Sequence, residues 1–444
     1  MSAVVTRFAP SPTGLLHAGN YRTAVFAYLF AKHYDGSFIL RIEDTDRERS
    51  KPEYEANILE ALAWLTLAAD KQYRQSEHRA RHRALLEKLI ADGAAYVSKE
   101  IPKNPGDKEE VIRFKNPKGA VTFADVIRGE ITMGVSDLGD FIIARSLDEP
   151  IFHFAVVVDD ADEHVTHVIR GEDHISNTPR QILIQRALGF VEPIYGHLPL
   201  ILCNDRTKLS KRKGAKALTE YRDLGILPEA MLNYLAFLGW NPGDEREYLS
   251  QDELVKDFDL LRVHKGSAIF DETKLFSVNQ HWMRTLSDAE FIMRGQLVAQ
   301  DEEALRKAIP LLKERAHTFG EAREMLSGEL GCLFMEPTIT RSKLVEKEPA
   351  AAQQAGMTKS ALEGLLEPIK ALSEGVTAKA VKEVVMPLAD AEETKGKGGR
   401  GGVLWPLRYA LSGQERSPDP FTLIAILGPK ESISRIQKAI AILE

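Results

Sequence analysis

The feature that most constrains this chain is its first fifty residues. Ala3, Val4 and Val5 read as a short buried strand, and Pro10-Ser11-Pro12-Thr13-Gly14 can continue neither a strand nor a helix. Ala24, Val25, Tyr28 and Leu29 begin a helical stripe, Asp35-Gly36 turns the chain, and Phe38-Ile39-Leu40 is a second apolar strand. Strand, helix and strand in that order make a β-α-β unit with a right-handed connection. Parallel α/β sheets bind ligands at the carboxyl ends of their strands. Two polar clusters fall there, Arg7 with His17 and Glu43 with Asp44. His17 lies near the start of the crossover helix, where unsatisfied N–H groups and the helix dipole favour a nucleotide phosphate. Gly19 would let a flat base pack on backbone.

Further along, Pro52 to Leu67 carries a helical stripe at Ile58, Leu62 and Leu65; Tyr73 to Glu77 reads as a polar connection, and His78 to Asp92 as a helix stopped by Gly93. From Ala94 to about Glu149 short strands with Gly and Pro punctuation predict a separate inserted module. The apolar run from Phe152 to Val158, ending in Asp159 and Asp160, predicts a strand buried on both faces. Thr166 to Ile169 predicts another strand, with Arg170-Gly171-Glu172-Asp173-His174 as its loop, and Ser176-Asn177-Thr178-Pro179 a capped helix start. His197 to Leu202 reads as the last strand of the sheet, and Leu227-Pro228 opens a helix stopping at Gly239. Beyond about Leu286 strand signals nearly vanish; stripes such as Val381, Val384, Val385 and Leu388 predict an all-helical half, with a capped start at Asp419-Pro420 and a stop at Gly428. Lys395 to Gly402 is glycine-rich enough to read as a flexible basic loop.

The length of 444 residues suggests about three domains. Cys203 and Cys332 are too few for a disulfide framework and wrongly spaced for a metal site. With 44% apolar and 28% charged residues, and neither a long apolar span nor a signal-peptide pattern, the sequence predicts a cytoplasmic globular protein without a membrane partner. A net charge of −7 argues against a protein that coats nucleic acid. Basic clusters at Arg79 to Arg83, Lys208 to Lys216 and Lys395 to Arg400 still allow local RNA-facing surfaces, although each taken singly reads as a solvated face.

The Arg7 to Gly14 stretch with His17-Ala18-Gly19-Asn20 resembles the HIGH signature of class I aminoacyl-tRNA synthetases, and Lys208-Leu209-Ser210-Lys211-Arg212 resembles their KMSKS loop. Arg41-Ile42-Glu43-Asp44-Thr45-Asp46 and Val168-Ile169-Arg170-Gly171-Glu172-Asp173-His174 narrow the resemblance to bacterial glutamyl-tRNA synthetases, closely to about Trp282 and more loosely beyond. The resemblance implies a Rossmann-like parallel-sheet catalytic domain in two halves, 1–78 and 151–204, around an α+β connective module at 79–150 for the tRNA acceptor end. A loop and stem-contact domain follows at 205–285, then an all-α anticodon-binding region at 286–444. It further implies ATP with Mg2+, L-glutamate and tRNA(Glu) as substrates or partners, possible charging of tRNA(Gln), and a monomer. His17, Lys208 and Lys211 would be catalytic. Gly19, Asn20, Leu209, Ser210 and Arg212 would join them around ATP, while Arg7, Ala9, Ser11, Glu43, Phe152, Arg170 and His174 would line the glutamate site. Among these, Arg7 would grip the side-chain carboxylate, Glu43 and Ser11 the ammonium, and Arg170 the α-carboxylate.

Three departures from the family pattern stand out. Ala95-Tyr96-Val97 replaces the Cys-x-Cys by which many relatives bind zinc, so neither zinc nor any other resident metal is expected. Phe152 stands where relatives often have Tyr, removing a hydrogen bond worth about 1 kcal/mol net. Asn20 replaces the last His of the signature. Competing readings are a glutaminyl enzyme, disfavoured by the helical C-terminal half, and a truncated relative that glutamylates a modified base in tRNA for aspartate, disfavoured by length. The last is a non-catalytic RNA-binding paralogue, disfavoured by the intact His17, Gly19, Lys208, Ser210 and Lys211.

Overall fold

The computed structural model describes residues 3–101, 109–209, 215–299, 301–345, 351–394 and 400–444. They fall into two compact units, Met1–Trp282 and Met283–Glu444. In the first, β1 (Val5–Phe8), α1 (Ala18–His33) and β2 (Ser37–Ile42) form the expected β-α-β unit, although β1 begins only at the last residue of the expected strand and takes in Arg7, which stands opposite Ile39 in a parallel register. The turn into β2 depends on Gly36, where a Cβ would lie 2.1 Å from the Val4 carbonyl oxygen. α2 (Pro52–Trp64) starts on its proline and buries Ile58, Ala61 and Leu62.

β3 (Lys71–Arg74) then pairs in parallel with β2, setting Tyr73 opposite Arg41. The sequence reading makes this stretch a connection. Only Tyr73 of its four residues is buried, so an edge strand here shows no apolar alternation to read. α3 (Arg79–Ala91) follows, closed by Gly93 in the left-handed region.

The next strands are β4 (Ala95–Lys99), β5 (Glu110–Phe114), β6 (Ala120–Asp125), β7 (Gly129–Gly134), β8 (Phe141–Ser146) and β9 (Glu149–Pro150). β4, β5, β8 and β9 make one antiparallel sheet, whereas the β6-β7 hairpin extends a different one.

The run from Phe152 is not a strand. It forms α4 (Phe152–Asp162), buried at every residue from Phe154 to Asp160. A helix covered on all sides has no polar face, so it shows the same continuous apolar run as a doubly covered strand. α4 leads to β10 (His167–Gly171), α5 (Thr178–Leu188) and β11 (Ile194–Leu198). Arg170 and Gly171 thus end a strand rather than open a loop. The expected cap on α5 is not made: Asn177 offers no side-chain bond to the helix, and its Nδ2 lies 3.2 Å from His174 Nδ1.

β10, β11, β6 and β7 neighbour one another in that order, β10 and β11 parallel, with β6 joining β11 through Asp125 opposite Tyr195. The Thr166 N–H donates to Val5 O at 3.0 Å and sets this sheet beside β1. One apolar cluster holds Val121, Phe123 and Ile143 together with Phe154, Val157 and Ile182. The stretch read as an insertion therefore shares its core with the parallel sheet.

The expected strand from His197 to Leu202 is broken at Pro199 into β11 and β12 (Ile201–Leu202). α6 (Leu218–Asp223), α7 (Pro228–Ala236), α8 (Gln251–Asp257), β13 (Ala268–Ile269), which pairs with β12, and α9 (Glu272–Thr285) complete the series up to the second unit. α7 ends one turn before Gly239.

The described residues of the second unit contain helices and no strand, as the stripes predict. They are α10 (Asp288–Gly295), α11 (Glu302–Arg315), α12 (Phe319–Ser327), α13 (Arg341–Leu344), α14 (Ala351–Lys370), α15 (Ala378–Thr394), α16 (Gly401–Ser412), α17 (Pro420–Leu427) and α18 (Pro429–Leu443). The Asp419 side chain caps α17 by accepting the Thr422 N–H, and Gly428 stops that helix at φ 82°. Of the predicted basic loop, 395–399 lie outside the described residues. Gly401 and Gly402 open α16 instead of lengthening that loop.

Candidate active site

The carboxyl ends of β1, β2 and β10 and the N-terminus of α1 meet at a cavity of about 420 Å³. Its wall includes Arg7, Ala9, Ser11, His17, Gly19, Asn20, Glu43, Phe152, Arg170, His174, Lys208 and Leu209. Every described residue predicted for the site is therefore in one place. Ser210, Lys211 and Arg212 lie outside the described residues.

His17 is the N-cap of α1. Its Nδ1 accepts the Gly19 N–H at 3.1 Å, while Asn20 Oδ1 accepts the His17 N–H at 3.2 Å, a capping box built from His and Asn. The acceptor role of Nδ1 puts the proton of a neutral imidazole on Nε2. A Cβ on Gly19 would lie 2.9 Å from His17 Cε1, so glycine is required to seat the imidazole. Asn20 does structural work in this box, which explains why it can stand in place of the family's histidine.

Beneath the cavity lies a buried ionic cluster. Arg7 Nε donates to Asp160 Oδ1 at 3.2 Å, and Arg41 Nη1 donates to the same oxygen at 2.6 Å. Arg41 also reaches Glu43 Oε1 through Nη2 at 3.1 Å. Burial alone would raise the Asp160 carboxyl, but Arg41 and Arg7 outweigh it and hold the group below the ordinary carboxylate range. At Glu43 burial prevails over Arg41 and Arg7, and the carboxyl is raised. Asp159, next along α4, accepts from Gln75 Nε2 at 2.8 Å and pairs with His82 Nε2 at 2.7 Å.

Arg41, Asp160 and Val156 are absent from the sequence-based site. The signal for two of them was there: on a helix, Phe152, Val156 and Asp160 fall at i, i+4 and i+8, on one face. Phe152 and Val156 line the cavity and Asp160 holds Arg7.

Arg170, at the end of β10, donates through Nε to His197 Nε2 at 3.1 Å and through Nη2 to Thr178 Oγ1 at 2.8 Å. Burial lowers its pKa to about 10. His174 is drawn down to about 4, by burial first and by Arg170 second, and is neutral at physiological pH. Its ring centroid is 5.6 Å from that of Phe152. At the mouth, Lys208 Nζ pairs with Asp173 Oδ2 at 3.0 Å, both half-exposed, and Leu209 is buried with its N–H on Ile201 O. Arg22 of α1 also reaches the wall, donating to the carbonyls of Pro199 and Leu238.

In the first basic cluster three of the side chains are paired within the protein. Arg81 meets Asp162 at 3.0 Å, Arg83 meets Asp148 at 2.8 Å and Glu87 at 3.0 Å, and His82 is buried against Asp159.

This architecture has matches among known families. Residues 3–104 and 101–277 match the family described as tRNA synthetases class I (E and Q), catalytic domain, and residues 278–440 match an anticodon binding domain. Fold and site thus define a class I tRNA synthetase of the glutamate and glutamine branch. Over 479 aligned residues the chain is 40% identical to a glutamate–tRNA ligase of Aquifex aeolicus, covering 98% of each. It is equally identical, with the same coverage, to glutamate–tRNA ligase 1 of Mesorhizobium japonicum. A crystal structure of a glutamate tRNA ligase from Elizabethkingia meningosepticum, in complex with its amino acid, superposes with a TM-score of 0.84 at 33% identity over the full length of both chains. The chain belongs to the glutamate–tRNA ligase family.

Proposed function

We propose that this chain joins L-glutamate to tRNA(Glu) through a glutamyl-adenylate made from ATP. The observation that carries the reading is the cavity wall itself, which brings two buried guanidinium groups, Arg7 and Arg170, to the same space as one buried carboxyl, Glu43. Two guanidinium groups and one carboxyl on that wall complement the two carboxylates and one ammonium of zwitterionic glutamate. In this reading Arg7 holds the side-chain carboxylate, Glu43 and Ser11 hold the ammonium, and Arg170 holds the α-carboxylate. Ala9, Phe152 and His174 close the walls. Phe152 offers no hydroxyl, and the neutral His174 adds no competing charge.

In activation the α-carboxylate attacks the α-phosphorus and pyrophosphate leaves. Negative charge moves onto bridging and terminal phosphate oxygens, so positioned donors and cations supply the catalysis. The Nε2 proton of His17, the N-terminus of α1, and Lys208 with Lys211 are suited to that task, with Gly19, Asn20, Leu209, Ser210 and Arg212 around the nucleotide. Lys208 must first leave Asp173, so its charge reaches the phosphates as the transition state forms. Magnesium enters on the ATP phosphates, its usual mode in nucleotide chemistry. In transfer, the terminal ribose hydroxyl attacks the acyl carbon and the adenylate phosphate can take its proton. The tRNA acceptor end falls to 79–150, the stem to 205–285 and the anticodon to 286–444, on a monomer working in the cytoplasm.

The test is pyrophosphate exchange with ATP, magnesium and tRNA(Glu). Exchange driven by glutamate and not by glutamine or aspartate supports the reading, and exchange driven by another amino acid overturns it. Charging assays with tRNA(Gln) in parallel decide whether the enzyme is of the relaxed type.

A further inference from the structure

Arg170 differs from Arg7 and Arg41, the guanidinium groups of the ionic cluster, in having neutral partners. His197 Nε2 accepts from its Nε at 3.1 Å and Thr178 Oγ1 accepts from its Nη2 at 2.8 Å. All three residues are more than nine-tenths buried. What makes His197 an acceptor is a second buried residue, Asp125 at the end of β6. Asp125 Oδ2 accepts both the backbone N–H of His197 at 3.0 Å and its Nδ1 at 2.6 Å, while Oδ1 takes the N–H groups of Ile127 and Arg128 at 2.9 and 2.8 Å. With its proton committed to Asp125, the imidazole turns a lone pair on Nε2 toward the guanidinium. Burial holds His197 below its usual pKa even though Asp125 opposes the shift, so the ring stays neutral.

We propose that Asp125, His197 and Thr178 are positioning residues for the amino-acid site: they fix the Arg170 guanidinium by neutral acceptors, so that its charge is left for the substrate α-carboxylate. This rests on the functional reading above. A carboxylate in the place of His197 would hold Arg170 as firmly and neutralise it; a neutral histidine fixes its direction alone. The Asp-His pair also ties that guanidinium to the β6-β7 hairpin, 45 residues before Arg170 in the chain.

Asp125→Asn tests the tautomer directly. Oδ1 keeps the two loop N–H groups, so the amide nitrogen replaces Oδ2, gives up the bond from the His197 backbone N–H and offers protons to Nδ1. His197 must then carry its proton on Nε2, donor against donor with Arg170. His197→Phe removes the acceptor, and His197→Gln restores one. In full-length protein whose wild type shows glutamate-dependent exchange, Asp125→Asn and His197→Phe raise the glutamate KM by about tenfold or more, the effect of losing a hydrogen bond to a charged group. The ATP KM stays unchanged, and His197→Gln recovers most of the loss.

The analogue with its α-carboxylate reduced to an alcohol supplies the readout that separates positioning from general structure. It lacks the anion that Arg170 holds, so its inhibition constant is the same in wild type and variants. If the two main variants fail to fold, Thr178→Val, which removes the second acceptor together with that hydroxyl's contacts to His174 O and His197 Nε2, is read against the same pair of ligands. An unchanged glutamate KM in folded variants overturns the proposal, as does equal weakening of glutamate and the alcohol. A wild type inactive with glutamate would instead overturn the functional reading.

Discussion

At the scale of single residues, the site depends on sharing and on fit. Asp160 Oδ1 serves Arg7 and Arg41 together. Asp160→Asn takes the carboxylate from Arg7 and the shorter of its ion pairs from Arg41, so we expect a loss of about 3–5 kcal/mol in urea unfolding and a raised glutamate KM. Gly19→Ala acts at the opposite end of the cavity. Its Cβ displaces the His17 imidazole, whose Nδ1 would be 3.0 Å away. The rate of activation should fall by roughly a hundredfold, the effect of a small misplacement of a catalytic group, with the glutamate KM unchanged. The histidines give a pH signature. His174 and His153 both titrate near 4 in the folded chain, against 6.5 without burial. Between those values the unfolded chain binds more protons, so their contribution to stability is complete above pH 6.5 and is lost as pH falls toward 4. The melting temperature of His174→Gln should therefore decline less across that window than the wild type's.

Among the elements, α4 carries the most weight, because it supplies Phe152 and Val156 to the wall, Asp160 to the floor and Phe154 to the core. Phe154 is fully buried, so Phe154→Ala should cost about 3–5 kcal/mol, read from urea midpoints. This helix is also where sequence reading fails, for a physical reason. Burial on every side erases the periodicity that distinguishes helix from strand, and with the period went the alignment of Phe152, Val156 and Asp160. β3 fails for the opposite reason, since an edge strand with one buried residue offers too little pattern. The β1-α1-β2 unit was legible because its signals are local: apolar strands, a proline-rich break and an Asp-Gly turn. So was the site's outline, for His17, Glu43, Arg170 and Lys208 all sit where a strand ends or a helix or loop begins. Asp125 and His197, 72 residues apart, belong to no motif, and only the fold brings them together.

Over the whole molecule, the sequence divides as its patterns change, with the α/β residues in Met1–Trp282 and the helical ones in Met283–Glu444. No helix among the described residues is long and apolar enough to cross a membrane. The net charge of −7 is compatible with an RNA substrate held at particular surfaces, and in the Arg79 to Arg83 cluster Arg81 and Arg83 share their charge with Asp162, Asp148 and Glu87. Residues 3–104 and 101–277 match the catalytic part and residues 278–440 the anticodon-binding part of a tRNA synthetase. The most direct measurement is attachment of labelled glutamate to a tRNA(Glu) transcript by the full-length chain with ATP and magnesium. Charging should require ATP and be lost in Arg7→Ala. Folded protein that leaves a competent transcript uncharged would contradict the proposed function.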